Sequence, residues 1–475
     1  MLSGIEYRYL LRHDLRTFIS KSFNEINPGD KLLPGEYLEV IAARLDACRQ
    51  GKIRRLIINL PPRCLKSHCA SVAFPAWVLG HDPSTHLICV SYGQDLADKF
   101  ARDCRRIITS PWYKRAFAGT RLADRQALHD FMTTAQGSRM ATSVGGVLTG
   151  RGADLIIIDD PLKPDEALSE PRRKAVSEWY DHTLLSRLND KATCGIVIIM
   201  QRLHQDDLVG HVLAQEPWEV LSLPALAEEH EVHQFDDVLG RHRFVRRVGD
   251  ALHPERDSIE TLAQIRSTVG EYVFASQYQQ SPVSAAGIIV RTKWLRFYDP
   301  AELPERPDEI VQSWDTANKA TELSDFSVCA TWAVHDENYY LVDVYRERLE
   351  YPGLKRKAEE LAQRQNADHI VIEDRASGTQ LIQDLKDQGL RGAAASEVPA
   401  GSDKVMRLYA QTAMFENGNV RLPRQAPWLQ DYVNELTGFP GVKHDDQGDS
   451  TTQALHYMRS VSSSMRIWRR LARKD

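Results

Sequence analysis

The chain has 475 residues, of which 42% are hydrophobic and 26% charged, so it can bury more than one core and two or three domains are expected. Lys and Arg number 60 against 65 Asp and Glu, and the formal net charge of −5 argues against coating nucleic acid by bulk charge, although a locally basic channel stays possible. No apolar run approaches the roughly 18 residues of a membrane span. The seven cysteines are never spaced as CxxC, which disfavours a disulfide framework and a structural zinc site. The sequence therefore predicts a cytosolic protein.

The N-terminal half alternates between apolar segments and helix-length segments. Residues 5–50 read as helices, including an amphipathic stretch from Tyr37 to Arg49. Four apolar segments follow that are strands by their length and branching: Leu56–Leu60, His86–Ser91, Asp154–Asp160 and Gly195–Met200. This alternation predicts an α/β domain with a parallel sheet covered by helices on both faces.

The pattern changes twice in the C-terminal half. Residues 227–286 are charged and rich in histidine with one helix near Ser258–Gln280, and we interpret them as a linker or small subdomain, because the histidine spacing matches no standard metal site. Three strands with tight turns, a helix over Pro352–Asn366 and a further strand are expected next, and this order predicts a ribonuclease-H-like domain. The strands are Ile310–Asp315, Phe326–Val334, Tyr339–Glu347 and His369–Asp374. The predicted organisation has a first α/β domain at 1–226 and a linker or subdomain at 227–286. A second domain follows at 287–462, and a basic tail at 463–475.

A phosphate-binding loop is indicated after the first strand, where a tight loop and a Lys-Ser pair precede a helix predicted over His68–Leu79. Such a loop directs backbone N–H groups at phosphate oxygens, while its Lys reaches the β- and γ-phosphates and its Ser binds Mg²⁺. Both glycines of the pattern GxxxxGK[ST] are replaced, by Leu60 and Leu65, so this segment alone favours a basic strand-to-helix turn. The candidate nucleotide-binding residues are Pro62, Arg63, Cys64, Leu65, Lys66 and Ser67.

Two adjacent acids end the third predicted strand and strengthen the ATPase interpretation. Asp159 would hold Mg²⁺ through water, and Asp160 would orient or deprotonate the attacking water. The alternative is an Asp-Asp-Pro turn with no metal. Because the Lys-Ser loop lies upstream, the sequence favours a P-loop ATPase that binds ATP and Mg²⁺.

Four motifs together resemble the large terminase subunit of tailed bacteriophages and prophages. They are Asn59–Ser67 (NLPPRCLKS), Val90–Tyr92 followed by Leu96-Ala97, Thr149–Pro161 (TGRGADLIIIDDP) and Met200–Leu208 (MQRLHQDDL). Cys64 and Leu65 depart from the family's usual Pro-Pro-Arg-His-Gly-Lys-Ser loop, and Gln201 stands where a Thr-Arg pair is common. The resemblance implies a RecA-like or ASCE-like P-loop NTPase domain joined to a ribonuclease-H-like nuclease domain.

The resemblance also implies roles for three residues of the ATPase domain. Gln201, within Ile198–His204, would sense the γ-phosphate and couple hydrolysis to movement. Transition-state charge would come from Arg63 in the same chain or from Arg151 of a neighbouring subunit, and the sequence does not choose between them. For either arginine the alternative is a surface salt bridge.

A second acidic site is expected at the strand ends of the C-terminal domain. Asp315 ends the first strand of that domain, Glu373 and Asp374 end the fourth, and Asp445, Asp446 and Asp449 precede an apparent helix over Ser450–Arg459. Carboxylates held together at adjacent strand ends require cations between them, and two Mg²⁺ or Mn²⁺ ions would support phosphodiester cleavage. We rank Asp315, Glu373 and Asp446 as principal ligands, Asp374, Asp445 and Asp449 as substitutes, and Asp325 as a weaker candidate. The alternatives are a turn former at Asp315, a solvated strand end at Glu373 and Asp374, and a helix N-cap at Asp449.

The sequence therefore predicts a DNA-packaging ATPase and endonuclease. Double-stranded DNA would be held through its phosphates without a base-reading motif. By the resemblance, the partners would be the portal protein, the small terminase subunit and the procapsid, in a homo-oligomeric ring of five subunits in the host cytoplasm, with the basic tail serving DNA or portal docking. Two alternatives stay open: an ATP-dependent helicase or repair translocase with a fused nuclease, and a degenerate prophage remnant that only binds DNA or capsid proteins.

Overall fold

The computed structural model describes residues 4–124, 127, 129–148, 150–238, 240–282, 289–316, 326–373, 377–387, 393–396, 404–440, 442 and 445–460. The chain divides into two compact units, Met1–Arg266 with Glu271–Ser284, and Ser267–Gly270 with Ala285–Asp475. Each unit has its own seven-stranded sheet, which confirms the predicted α/β class.

The sheet of the first unit is parallel except at one edge. Its strands are β1 Arg55–Asn59, β2 His86–Ser91, β3 Asp130–Met132, β4 Ser138–Ser143, β5 Leu155–Asp159, β6 Gly195–Met200 and β7 Glu219–Ser222. Their order is β3-β4-β2-β5-β6-β1-β7, and only β3 pairs antiparallel. Because β1, β5 and β6 are parallel neighbours, their carboxyl ends meet at one edge, where ligands bind in open α/β sheets.

Helices cover this sheet on both faces, as predicted. They are α1 Gly4–His13, α2 Leu15–Ile26, α3 Tyr37–Arg49, α4 Phe74–His81, α5 Gln94–Thr109, α6 Pro111–Ala116, α7 Glu170–Trp179 and α8 Leu208–Leu213. Asp14 caps α2 by accepting hydrogen bonds from the amides of Arg16 and Thr17, which fixes the start of the helix whose apolar face is buried in the core.

The helix predicted over His68–Leu79 is instead two consecutive segments. A π-helical turn spans His68–Ala73 and α4 continues from Phe74. The physical reason lies in Pro75, which has no N–H to donate to the carbonyl of Ser71, so the regular i to i−4 ladder cannot continue there.

The region predicted as a linker or subdomain contains regular structure. It holds an antiparallel hairpin, β8 Glu231–Asp237 and β9 Gly240–Arg246, followed by α9 Ile259–Val269 and α10 Glu271–Val273. Contacts group residues 227–266 and 271–284 with the first unit. That the histidines of this region form no metal site stays a prediction.

The second unit has the strand order of a ribonuclease-H-like sheet. Its strands are β10 Arg296–Tyr298, β11 Glu309–Asp315, β12 Ser327–His335, β13 Asn338–Glu347, β14 His369–Glu373, β15 Ala393–Ser396 and β16 Val420–Pro423. The sheet runs β10-β16-β13-β12-β11-β14-β15, with β11, β12 and β13 forming the predicted antiparallel meander. The fourth predicted strand, β14, lies beside β11 and pairs with it in parallel, so the two are adjacent as the ribonuclease-H-like prediction required.

In the described part of this unit, six α-helices accompany the sheet. They are α11 Tyr351–Arg364, α12 Ser377–Asp387, α13 Lys404–Tyr409, α14 Thr412–Glu416, α15 Leu429–Gly438 and α16 Asp446–Ser460. Helix α16 is attached directly to β11, since the Ser450 hydroxyl donates to the carbonyl of Ser313 at 2.8 Å and the Gln453 amide donates to that of Trp314 at 3.4 Å. These bonds place the first turn of α16 beside the end of β11.

All seven cysteines are buried free thiols. Among the described residues, no helix combines the length and apolar character needed to cross a bilayer.

Candidate nucleotide and nuclease sites

A cavity of about 450 Å³ opens at the carboxyl edge of the first sheet. Its lining residues come from α2, the loop after β1, the π-helical turn, α5 and the ends of β5 and β6: Phe23, Ile26, Asn27, Pro62, Arg63, Leu65, Lys66, Ser67, His68, Val72, Lys99, Phe100, Asp103, Asp160 and Gln201. The structure thus brings Lys66, Ser67, Asp160 and Gln201 together around one cavity, as the sequence predicted.

Lys66 is a buried cation in the wall of this cavity. Its side chain is buried, and its Nζ donates to the carbonyl oxygen of Leu60 at 3.3 Å and lies 3.6 Å from Oδ2 of Asp160. A buried ammonium group needs such partners because desolvation disfavours its charge. Lys66 is therefore held at the cavity wall, where phosphate oxygens would meet it.

Asp159 lies behind the cavity and is held by two hydroxyl groups. Ser67 Oγ donates to its Oδ1 at 3.1 Å and Ser71 Oγ donates to its Oδ2 at 2.7 Å. Burial, followed by the neighbouring charge of Asp160, raises the pKa of Asp159 to about 7. A divalent cation would favour the ionised form, so the set of Ser67 and Asp159 fits Mg²⁺. Sequence reasoning missed Ser71, whose only signal was its position one turn beyond Ser67.

The predicted catalytic acid and the predicted sensor contact each other. The backbone N–H of Gln201 donates to Oδ1 of Asp160 at 3.1 Å, and Asp160 itself adopts a left-handed conformation with φ of 41°. The Gln201 side chain is largely buried, and within the described part of the chain its Oε1 has no hydrogen-bond partner. An unpartnered polar atom at the cavity is suited to a ligand group or a water molecule.

The two candidate arginines have different surroundings. Arg63 lines the cavity, whereas Arg151 forms a salt bridge with Asp130 and does not line it. Cys64 is buried and turned away from the cavity, while Leu65 contributes to its wall. Within one chain, Arg63 is therefore the arginine placed to meet a nucleotide.

The second site lies at the carboxyl ends of β11 and β14. Trp314 pairs with Ile372 in this parallel register, so Asp315 and Glu373 follow at matching ends of adjacent strands. Burial raises the pKa of Asp315 well above its usual range, and the charges of Asp449, Asp446 and Glu373 add to this effect. A half-buried acid with three others around it fits a cation-binding site.

Two cations from α13 contact the same carboxylates. Lys404 Nζ lies 2.8 Å from Oδ2 of Asp445 and 2.7 Å from Oδ2 of Asp449. Arg407 reaches Asp449 Oδ1 at 3.0 Å and Glu373 Oε1 at 3.5 Å. Both residues escaped sequence reasoning, because nothing in the sequence indicates that α13 packs beside the start of α16.

The acids at the start of α16 differ in their neighbours. Asp446 is buried, and its Oδ2 lies 3.6 Å from Arg346 Nη2. Asp449 instead shares Arg407 with Glu373, and its charge acts on Asp315. The suggestion that Asp449 caps a helix starting at Ser450 is wrong, because α16 begins at Asp446 and Asp449 lies inside its first turn. Asp325 and Asp374 lie outside the described residues.

Among the described residues, one further group could hold a metal ion, namely Asp308, His335 and Asp336. Its members lie at the β12–β13 turn and at the amino end of β11, the opposite end from Asp315. The group is therefore separate from the carboxylate site.

The two sheets and their sites define a class of protein, in which a mostly parallel α/β sheet with a Lys-Ser loop at its carboxyl edge and a ribonuclease-H-like sheet with clustered acids occur in one chain. Residues 312–458 match the family model described as terminase RNaseH-like domain, so this part of the chain is similar to the RNase H-like domain of terminases. The resemblance to large terminase subunits indicated by the motifs is confirmed.

Solved structures extend the likeness to nearly the whole chain. The large terminase of thermophilic bacteriophage D6E matches 90% of this chain and 100% of its own at 11% identity, with a TM-score of 0.53. The same protein in complex with ADP matches 94% of this chain and 99% of its own at 10% identity, with a TM-score of 0.51. The nuclease of the G20c phage large terminase with bound magnesium covers 36% of this chain and 98% of its own at 16% identity, with a TM-score of 0.29. A search of curated proteins finds no match.

Proposed function

We propose that this chain is the large terminase subunit of a phage or prophage, which uses ATP hydrolysis to move double-stranded DNA into a procapsid and cuts concatemeric DNA with a metal-dependent endonuclease. The observation that carries the proposal is the pairing of two separate acidic sites. One has Lys66 and Ser67 at a cavity with Asp159 behind it, and the other has Asp315 and Glu373 at the ends of β11 and β14 with Asp449 on the neighbouring α16.

In the first unit, the proposed roles follow from position. Lys66 binds the phosphates of ATP, and Ser67 with Asp159 holds Mg²⁺, which supplies charge neutralisation when bound. Asp160 orients the attacking water and accepts its proton. Gln201 reports the state of the γ-phosphate through its bond to Asp160.

The arginine that stabilises the transition state is Arg63 acting in the same chain, because it lines the cavity. Arg151 is the candidate for action on a neighbouring subunit. It would first have to exchange its salt bridge with Asp130, and its half-exposed side chain makes that exchange inexpensive.

In the second unit, Asp315, Glu373 and Asp449 are the principal ligands for two Mg²⁺ or Mn²⁺ ions, and Asp445 and Asp374 assist. We place Asp449 ahead of Asp446, because Asp449 exerts the largest charge effect on Asp315 and shares Arg407 with Glu373. Asp446 supports the site through its pairing with Arg346.

The proposed working form is a homo-oligomeric ring of five subunits on the portal protein of the procapsid, in the host cytoplasm, with the small terminase subunit selecting the DNA. The test is DNA packaging by the purified chain with procapsids and ATP, read as protection of DNA from added nuclease. ATP turnover that depends on procapsid and DNA supports the motor. No turnover would favour a remnant that only binds, and strand separation without packaging would favour a helicase.

A further inference from the structure

The nucleotide loop adopts a backbone conformation that its residues do not favour. Arg63 has φ of 63° and Leu65 has φ of 58°, both in the left-handed region where a Cβ atom clashes with the backbone. Glycine adopts this region freely, but this chain has arginine and leucine there. Such conformations persist only where neighbouring contacts hold them, so the structure must supply those contacts.

Arg256, from a distant part of the chain, supplies such contacts to Arg63 and to Cys64, the residue before Leu65. Its Nη1 donates to the carbonyl oxygen of Arg63, and its Nη2 lies 3.5 Å from both the Pro62 carbonyl oxygen and the Cys64 Sγ. One planar guanidinium group thus contacts three consecutive residues of the loop. Arg256 does not line the nucleotide cavity, so it acts on the loop from outside.

The direction of these carbonyl groups has a consequence for the opposite side of the loop. In a trans peptide, a carbonyl oxygen and the following N–H point in opposite directions. Because the carbonyls of Pro62 and Arg63 point to Arg256, the N–H groups of Arg63 and Cys64 point away from it. Backbone N–H groups are what a P-loop presents to phosphate oxygens.

Arg256 is itself held firmly. Its Nε donates to Oδ2 of Asp257 at 3.0 Å, and its backbone N–H donates to the carbonyl of His253 at 3.0 Å. The ring of His253 is buried against that of Tyr37, with centroids 5.7 Å apart. The preceding Leu252 donates its N–H to the carbonyl of Ala225 at 2.8 Å, so the turn that carries Arg256 is anchored in the first unit.

We propose that Arg256 is a positioning residue for the nucleotide loop, which takes over the role of the missing glycine by holding Arg63 in its left-handed conformation directly and Leu65 through the adjoining Cys64. The inference rests on the proposed ATPase function. It predicts that the importance of Arg256 depends on the residue at position 65.

The test measures binding of ATPγS with Mg²⁺ to the full chain by calorimetry, for the parent, Arg256→Ala, Leu65→Gly and the double variant. We expect Arg256→Ala to raise the Kd at least about tenfold, the effect of losing a charge-assisted hydrogen bond. In the Leu65→Gly background, the same change is expected to raise it less than about threefold, because glycine holds the conformation unaided. Arg241→Ala is the control, since Arg241 forms an exposed pair with Asp236 in the same unit.

A Kd for Arg256→Ala within about threefold of the parent, or an equal loss in both backgrounds, would overturn the proposal. If Arg256→Ala does not fold, Arg256→Lys decides, because lysine keeps the charge but not the fork of donors. Parent-like binding by Arg256→Lys would then contradict the proposal, and weaker binding rescued by Leu65→Gly would support it. A parent chain that fails to bind ATPγS would instead remove the proposed ATPase function.

Discussion

Ser71 donates a 2.7 Å hydrogen bond to Asp159 while its own carbonyl oxygen accepts one of 3.1 Å from Nη2 of the buried Arg139. The π-helical turn His68–Ala73 contains Ser71, and Pro75 cannot donate to that carbonyl. Arg139, on the neighbouring part of the sheet at β4, therefore fixes the serine that orients the candidate Mg²⁺ ligand. The widened helical turn thus lets the Ser71 carbonyl oxygen accept a hydrogen bond from Arg139, which a regular turn would not provide.

Changing Ser71→Ala should weaken Mg²⁺ use without abolishing hydrolysis. Loss of the hydroxyl removes one hydrogen bond that favours the ionised form of Asp159, so Mg²⁺ must displace a more tightly held proton. We expect the Mg²⁺ concentration for half-maximal ATPase activity to rise about tenfold, with kcat at saturating Mg²⁺ within about threefold of the parent. Thr109→Ala on the exposed end of α5 is the matched control, and an unchanged Mg²⁺ requirement for Ser71→Ala would contradict the assignment.

The two sites are expected to be separable by single substitutions. Lys66→Ala should abolish ATP hydrolysis and packaging but leave metal-dependent DNA nicking intact, because Lys66 belongs to the first unit. Asp315→Ala should do the reverse, reducing nicking by at least about a hundredfold while ATP turnover persists. Turnover and plasmid nicking measured on the same preparations check both, and nicking that survives Asp315→Ala would show that the metal site is misplaced.

The sequence predicted those elements whose composition matches their position in the fold. The buried strands β1, β2, β5 and β6 have apolar centres, and their predicted bounds agree with the observed ones to within about a residue. Strand β4 was missed because its sequence, SRMATS, is polar and includes the buried Arg139, and β7 because it is a short edge strand with mostly exposed side chains. Whether such a segment forms a strand depends on burial by neighbouring strands, which the local sequence pattern does not encode.

The site residues also divide into those that the sequence predicts and those that it does not. Strand-end acids such as Asp159, Asp315 and Glu373 could be predicted because parallel strands bring their carboxyl ends to one edge. Lys404 and Arg256 could not, since each acts through contacts between segments far apart in the chain, as in the 2.7 Å approach of Lys404 to Asp449. Long-range packing determines these contacts.

Asp449 and Asp446 should differ in what their loss affects. Asp449→Ala is expected to lower Mn²⁺-dependent nicking at least about a hundredfold, because Asp449 adds its charge to the carboxylate cluster around Asp315. Little change in thermal stability is expected, because Lys404 and Arg407 keep their ion pairs with Asp445 and Glu373. Asp446→Ala leaves Arg346 without one of its two acidic neighbours, so we expect a loss of about 1–3 kcal/mol of unfolding free energy and a smaller loss of nicking. Denaturant unfolding and plasmid nicking measure both effects, and the opposite pattern would restore Asp446 as the principal ligand.

His68 should make the stability of the first unit depend on pH. Burial lowers the pKa of His68 to about 4, and its Nε2 lies 3.2 Å from the carbonyl oxygen of Ile19, to which the neutral ring can donate. The unfolded chain, with a histidine pKa of about 6.5, binds more protons than the folded chain between these values, so stability is complete above pH 6.5 and falls as the pH drops toward 4. The expected loss from this residue at pH 5 is about 2 kcal/mol.

His68→Gln keeps an N–H donor without titrating, so its unfolding free energy should change less than that of the parent between pH 7.5 and pH 5. His230→Gln, at an exposed position in the same unit, is the control, and equal pH dependence of the parent and His68→Gln would contradict a buried neutral His68.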